Sequence, residues 1–188
     1  MTDTGIDGHR PVLGPLGRVH DTVFSHAQRL ISHDALALFM RIVIAGVFWR
    51  SFILKVETFG VGRYVEVINN FELERFRFKL PEFPLTLKPA TLSQFSGDFA
   101  LPLLSPGVAA WMATLAEFTF PILLVLGLLT RMSALALIGM TLVIQIFIPT
   151  WAHFWGTAAL WLVMLLYLTG RGGGQFSLDH LLGRQLQR

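Results

Sequence analysis

Glu117 lies where a charge is energetically expensive. It is the single ionisable residue in the apolar run 108–129. About 20 apolar residues, rising roughly 1.5 Å each, cross the hydrocarbon core of a bilayer, so Glu117 falls near the middle of a predicted membrane span. An ionised carboxylate there costs about 3 kcal/mol or more unless it is paired or faces a polar cavity. The position indicates either a functional site or a charge pair that fixes helix register.

Other polar residues in or near the predicted spans are candidate partners. Counting residues from the cytoplasmic ends of the spans places Gln145 in the same layer as Glu117, roughly 18–20 Å from that side. Arg41 or Arg50 is the candidate counter-charge for Glu117. His153, at a helix mouth, has the chemistry to donate to a quinone carbonyl or to relay a proton near neutral pH. The candidate polar pocket therefore consists of Arg41, Glu117, Gln145 and His153.

A polar stripe on the first predicted span supports this pocket. Lys55 follows Arg41 by fourteen residues, so it returns to within about 40° of the same helix face, and Ser51 lies on that side too. We expect Arg41 to face the bundle interior and Lys55 to extend toward the lipid headgroups. Trp155, two residues after His153, is a third supporting residue beside Ser51 and Lys55.

Composition restricts the available chemistry. The chain has no cysteine, which excludes disulfides, thiol catalysis and cysteine-ligated zinc or iron–sulfur centres within it. No histidine in a predicted span has a ligand partner one turn away, so neither a metal site nor a haem site is expected. The net charge of +3 comes from basic residues scattered at the edges of apolar runs. Without a basic stripe, no nucleic-acid partner is expected.

Hydrophobicity predicts the architecture. The chain is 53% hydrophobic and 14% charged, whereas soluble domains carry about 25% charged residues. Four apolar runs predict an all-α polytopic membrane protein, a bundle of four transmembrane helices within residues 35–170. The predicted spans are residues 35–54, 108–129, 132–148 and 151–168. On the second span, Ala109, Ala113 and Ala116 predict a small-residue face for close helix packing.

Residues 55–107 form a predicted extracytoplasmic loop of roughly fifty residues between the first and second spans. The spacing of apolar residues from Tyr64 to Phe71 predicts a short helix, and the alternation from Phe76 to Leu80 predicts an extended segment. The many phenylalanines of the loop indicate that it packs over the mouth of the bundle. It is interpreted either as a binding lid or as a structural cap.

Polar tails flank the predicted membrane domain. In the N-terminal tail, residues 1–34, apolar residues recur at helical spacing from Val19 to Ile31, which indicates an interfacial amphipathic helix or an extension of the first span. The C-terminal tail, residues 171–188, contains a predicted surface turn capped by Ser177 or Asp179. Basic residues near the span ends favour cytoplasmic termini by six to three.

Short motifs occur in a fixed order along the second half of the chain. They are Ala116-Glu117, Leu126-Gly-Leu-Leu-Thr-Arg131, Gly139-Met-Thr-Leu-Val-Ile-Gln145, His153-Phe-Trp155, Leu165-Leu-Tyr167, Arg171-Gly172 and Ser177-Leu-Asp179. Together with Arg41, Phe48-Trp-Arg-Ser51 and Lys55-Val56, they resemble the DoxX family of small bacterial four-helix membrane proteins. The chain departs from the family pattern at Phe52, where glycine is more usual, at Gly172-Gly-Gly174, which replaces Gly-Pro-Gly, and at the short loop 148–150.

The resemblance implies a multi-pass protein of the bacterial cytoplasmic (inner) membrane. Relatives are linked to quinone-dependent oxidoreductase systems, including thiosulfate oxidation, and to membrane complexes that handle oxidative stress. The leading hypothesis is a membrane subunit of such a complex, in which a bound quinone or a soluble or membrane redox partner supplies the redox centre. The alternatives are a small-solute binding or transport protein with a proton-coupled Glu117, and a membrane scaffold that recruits soluble enzymes. Whether the chain is itself an enzyme stays open.

Overall fold

The computed structural model describes residues 32–68, 71–147 and 151–186. Four helices in this part of the chain are long and apolar enough to cross a membrane, in agreement with the four predicted spans. They are α1 (His33–Lys55), α3 (Pro106–Leu126), α4 (Thr130–Phe147) and α5 (Trp151–Arg171). The shorter elements are the strands β1 (Thr58–Ile68) and β2 (Phe71–Pro81) and the helices α2 (Pro89–Ser96) and α6 (Leu178–Leu186). The predicted helix within residues 19–31 lies outside the described residues.

Capping residues set the ends of the membrane helices. The hydroxyl of Ser32 accepts a hydrogen bond from the backbone N–H of Ala35 at 3.3 Å and caps α1. Helix α3 begins at Pro106, where the missing N–H is tolerated because that position has no partner within the helix. Its C-terminal cap is Gly127, whose φ of +69° is in the left-handed region. The helix therefore stops at Leu126, three residues before the predicted boundary.

Gly127 is expected to be sensitive to substitution. A Cβ atom at this position would lie 2.6 Å from Cβ of Ser177 and 2.7 Å from Nη1 of Arg41, on a backbone that already has positive φ. We expect Gly127→Ala to lower the free energy of unfolding by about 2–4 kcal/mol, because both strain and overpacking act. Thermal unfolding in detergent tests this. Gly46→Ala is the matched control, since nothing lies within 4 Å of its added Cβ, and equal losses in both variants would contradict the prediction.

The four long helices share an apolar core. Its fully buried members are Ala37, Ile44, Phe48, Leu124, Ala134, Leu137, Leu165 and Leu168. Since lipid tails are as apolar as leucine, this core holds the helices together by close van der Waals contact rather than by removal of apolar surface from water. Alanines within it allow the helix backbones to approach. Helix α5 widens into one π-helical turn at Phe154–Ala158, a local expansion of the hydrogen-bonding pattern.

The segment between α1 and α3 contains a β-hairpin, which corrects the all-α prediction. Strands β1 and β2 pair antiparallel in a register that runs from Thr58 opposite Pro81 to Ile68 opposite Phe71. The short helix predicted between Tyr64 and Phe71 is therefore wrong, whereas the extended segment predicted from Phe76 to Leu80 lies within β2. The β-branched and aromatic content of β1 favours a strand, and a few apolar residues at helical spacing do not outweigh it.

The remainder of this segment is tied to the end of α1. The backbone N–H of Lys88 and the hydroxyl of Thr91 both donate to the carbonyl of Lys55, at 3.0 and 2.9 Å. The ammonium of Lys88 donates to the carbonyl of Leu54 at 3.2 Å. These bonds satisfy carbonyls that the last turn of a helix leaves free. They hold α2 over this end of the bundle, which we call the hairpin end, and we call the opposite end the tail end.

Candidate functional site

A buried ion pair links α1 and α3. The Nζ atom of Lys55 lies 2.6 Å from each carboxylate oxygen of Glu117. Ser51 donates its hydroxyl to Oε1 of Glu117 at 2.9 Å and accepts a hydrogen bond from Nζ of Lys55 at 2.9 Å. The side chains of Lys55 and Glu117 are 15% and 2% exposed. All three donors of the ammonium are therefore engaged.

Helix geometry explains why Lys55 reaches Glu117. Residues four apart lie on one helix face, which places Ser51 and Lys55 together. Helical side chains point back toward the N-terminus, so the long side chain of Lys55 extends into the bundle rather than away from it. Its positive charge also suits the C-terminal turn of α1. Lys55 is therefore the counter-charge of Glu117, which corrects the predicted use of an arginine and the predicted extension of Lys55 toward the headgroups.

The ion pair lines a cavity of about 650 Å³. Apart from Ser51, Lys55 and Glu117, the polar residues in its wall are Thr91 and Gln94. The rest of the wall is apolar and comes mainly from α2, α3, α4 and the segment after α2. Its members include Phe95, Phe99, Leu101, Ala109, Ala113, Ala116, Met140, Ile144, Phe147 and Trp161. Small-molecule sites typically have this combination of volume, apolar wall and few polar groups.

Small residues and aromatic residues together shape this cavity. Ala109, Ala113 and Ala116, the predicted small-residue face, line the open space, and Ala109 and Ala113 also pack in a cluster with Phe95 of α2. The ring of Phe99 contacts the rings of Phe95 and Phe147 edge-on, with centroids 5.8 and 5.7 Å away. This aromatic row connects α2 to α4. It places α2 as a cover over the cavity, the position that the lid and cap interpretations both require.

Some of the lining residues escaped the sequence analysis. The richness of the loop in phenylalanine is visible in the sequence, but it does not indicate which of these residues line the site. Phe95 is on α2, whereas Phe99 follows the end of that helix. Thr91 and Gln94 carry no comparable signal. Trp161 lies inside an apolar span, where an aromatic residue is unremarkable until its neighbours are known.

The structure does not bring Gln145, His153 or Trp155 to the ion pair. None of the three lines the cavity. Oγ1 of Thr157 donates to the carbonyl of His153 at 2.8 Å and lies 3.4 Å from its Nδ1. Trp155 is largely exposed. Glu117 therefore lies in the cavity wall as predicted, together with Ser51 and Lys55. The tryptophan that lines the cavity is Trp161.

Arg41 is buried at the tail end, apart from Glu117. It is 1% exposed, and its Nη1 donates to the carbonyl of Gly173 at 2.8 Å. Its Nη2 donates to the carbonyls of Val125 and Phe176 at 3.2 and 2.9 Å. Fourteen residues of helix separate Arg41 from Lys55 by about 21 Å. The predicted interior position of Arg41 is correct, but the residue holds the C-terminal tail rather than the pocket.

Asp179 reinforces the tail end. Its two carboxylate oxygens accept hydrogen bonds from the backbone N–H groups of Leu129 and Thr130, at 2.7 and 2.8 Å. Ser177 accepts a hydrogen bond from the N–H of His180 at 3.3 Å, next to the start of α6. The predicted surface turn is thus a helix, and Asp179 caps α4 instead of its own segment.

Four long apolar helices that enclose an ion pair and a cavity define a multi-pass membrane protein. The DoxX family model matches residues 36–150. The chain therefore belongs to the DoxX family, as its motifs predicted. No curated protein and no solved structure matches the chain. The matched range contains Arg41, Ser51, Lys55 and Glu117.

Proposed function

We propose that the chain is the membrane subunit of a quinone-linked redox system and holds a quinone headgroup in the cavity beside Lys55 and Glu117. The observation that carries this proposal is an apolar cavity of about 650 Å³ whose wall contains an ammonium, a hydroxyl and a carboxylate. The membrane is proposed to be the bacterial inner membrane, with the tail end on the cytoplasmic side. The excess of basic residues near the tail-end termini of the spans supports that orientation.

The residues present fit the chemistry of a quinone. Its flat ring and apolar chain suit a wall that includes Phe95, Phe99 and Trp161, since aromatic rings pack well by stacking or edge contacts. Its carbonyl oxygens are acceptors for the donors of Lys55 and Ser51. A bound quinone would supply two-electron, two-proton chemistry that protein side chains lack.

The side chains of the site have distinct tasks in this proposal. Lys55 can turn the donor that now points at Ser51 toward a ligand oxygen while it keeps both contacts with Glu117, so the charge pair survives binding. The hydroxyl of Ser51 is then a second donor. The carboxylate of Glu117 is an acceptor for a ligand hydroxyl. The apolar wall excludes water and strengthens each of these polar contacts.

A second candidate, a carrier or receptor for another small apolar solute, is favoured by the largely apolar wall. The two candidates differ in the need for a ligand acceptor, because a purely apolar solute has no oxygen to accept hydrogen bonds from Lys55 and Ser51. The scaffold alternative needs no ligand in this cavity at all. A binding experiment with matched ligands therefore separates all three.

We expect a short-chain ubiquinone analogue to bind the detergent-purified chain at one site and to quench its tryptophan fluorescence. Trp161→Phe should remove most of the quenching while it leaves the affinity intact. Lys55→Met/Glu117→Leu, which replaces the ion pair by apolar side chains, should weaken binding about tenfold or more, as expected for loss of a charged hydrogen bond. Arg63→Gln, on the exposed hairpin, is the charge control and should bind as the unmodified chain does.

A hydrocarbon of the same ring size without carbonyls completes this experiment. Equal affinity for the quinone and the hydrocarbon, unaffected by Lys55→Met/Glu117→Leu, would reject the quinone proposal and favour the apolar-solute candidate. If neither the quinone nor the hydrocarbon binds, the scaffold candidate is favoured.

A further inference from the structure

A second cavity, of about 670 Å³, lies at the tail end. The glycine-rich segment 172–174 and the first residues of α4 form part of its wall. Arg131 and Arg171 line it as well, and both are exposed. Neither arginine makes a hydrogen bond or an ion pair with another residue in the described part of the chain. Two free guanidinium groups thus share one cavity.

The acidic residues of this cavity accept hydrogen bonds from backbone N–H groups of the cavity wall itself. Asp34 accepts a hydrogen bond from the backbone N–H of Gln175 at 2.7 Å. Asp179 caps α4 with both of its carboxylate oxygens. Arg41 is buried behind the loop, donates hydrogen bonds to carbonyls and is attracted electrostatically to Asp179. The cavity wall thus carries two arginines and two aspartates, and the aspartates already accept hydrogen bonds from backbone N–H groups.

Thr130 provides an independent indication of a ligand. Its side chain is fully buried and lines the cavity, and its hydroxyl makes no hydrogen bond within the described residues. The hydroxyl lies against Gly173, where a Cβ atom would approach Oγ1 to 2.7 Å. Buried hydroxyls are normally bonded. A donor without an acceptor, beside two free arginines and a loop without side chains, fits an anionic oxygen ligand.

We propose that the tail-end cavity binds a phosphate group, either that of an anionic membrane lipid or free phosphate. Arg131 and Arg171 pair with its oxygens, since guanidinium groups match phosphate with charge-assisted hydrogen bonds. Thr130 donates its hydroxyl to it. The two arginines lie at the ends of α4 and α5, where membrane helices meet the headgroup layer, and basic pockets at such positions bind anionic headgroups.

The test compares lipids that differ in charge. The full chain in mild detergent is mixed with phosphatidylglycerol or phosphatidylcholine, and retained lipid is counted by native mass spectrometry. We expect one retained phosphatidylglycerol, with an affinity about 30-fold lower in Arg131→Gln/Arg171→Gln, since each arginine near the surface contributes about fivefold. Thr130→Val should weaken binding about fivefold. Arg184→Gln is the matched control, because Arg184 is on α6 at the same end but does not line the cavity.

A calorimetric titration with inorganic phosphate identifies the source of the group. Phosphate that binds alone and displaces the lipid indicates a free anion as the natural ligand, whereas lipid binding that phosphate does not displace indicates a headgroup. Both results support the phosphate site. Equal retention of the two lipids, or unchanged retention in Arg131→Gln/Arg171→Gln, would overturn it. Both arginines are exposed, so Arg131→Gln/Arg171→Gln is expected to fold. Thr130→Val provides a second test of lipid affinity without any change of charge.

Discussion

Lys55→Met is expected to lower the free energy of unfolding by about 3–5 kcal/mol, because it leaves a buried carboxylate without its charged partner. Glu117 is 2% exposed, and two of the three hydrogen bonds to its carboxylate come from Lys55. Ser51 alone then remains as a donor. Equilibrium unfolding in mixed detergent micelles measures the change.

The paired variant Lys55→Met/Glu117→Leu is the control for this prediction. Removal of both charges leaves no uncompensated group, so most of the lost stability should return, as it does when apolar residues replace other buried ion pairs. The effects of Lys55→Met and Glu117→Leu on the free energy of unfolding should therefore be strongly non-additive. If Lys55→Met alone is as stable as the unmodified chain, the ion pair does not hold α1 to α3 and the geometry of the site must be reconsidered.

Arg41→Met is expected to cost about 3 kcal/mol or more and to loosen the C-terminal tail. The substitution removes the donors to the buried carbonyl of Gly173 and to the partly buried carbonyls of Val125 and Phe176. An unsatisfied buried group costs about 1–3 kcal/mol. Hydrogen exchange at the amides of residues 172–179 should accelerate much more than exchange in the core of α4. Thermal unfolding of the same sample reports the stability.

Two substitutions calibrate this result. Arg50→Met removes a positive charge from the exposed face of the same helix and should leave both tail exchange and stability unchanged. Arg41→Lys keeps the charge but loses the planar fork that reaches several carbonyls, so it should give an intermediate loss. Tail exchange that is equally fast in Arg41→Met and Arg50→Met would show that Arg41 does not hold the tail.

The membrane part of the fold was predictable because its signal is long and continuous. Runs of about 20 apolar residues have few interpretations other than a membrane span. Glu117 stood out for the same reason, as one charge in such a run. The hairpin was harder, since a strand pair rests on short patterns and on pairing between residues such as Thr58 and Pro81, which no local spacing reveals.

The partners within the site were less predictable than its central residue. Depths counted along straight helices placed Glu117 beside Gln145, but they ignored the backward reach of Lys55 from the last turn of α1. The position of Gln145 around α4 depends on how that helix is rotated against its neighbours, which side-chain packing decides. Arg41 bonds to carbonyls up to 135 residues away, and backbone acceptors have no signature in a sequence.

The quinone content of the purified chain tests the central claim most directly. Protein extracted in mild detergent from quinone-containing membranes is compared with Ala113→Phe, which fills the cavity from α3. Leu115→Phe, which adds the same ring on an exposed position of α3 outside the cavity wall, is the control. We expect about one quinone per chain in the unmodified protein and in Leu115→Phe, and background quinone in Ala113→Phe. Equal quinone in all three proteins, or background in all three, would contradict binding in the cavity beside Lys55 and Glu117.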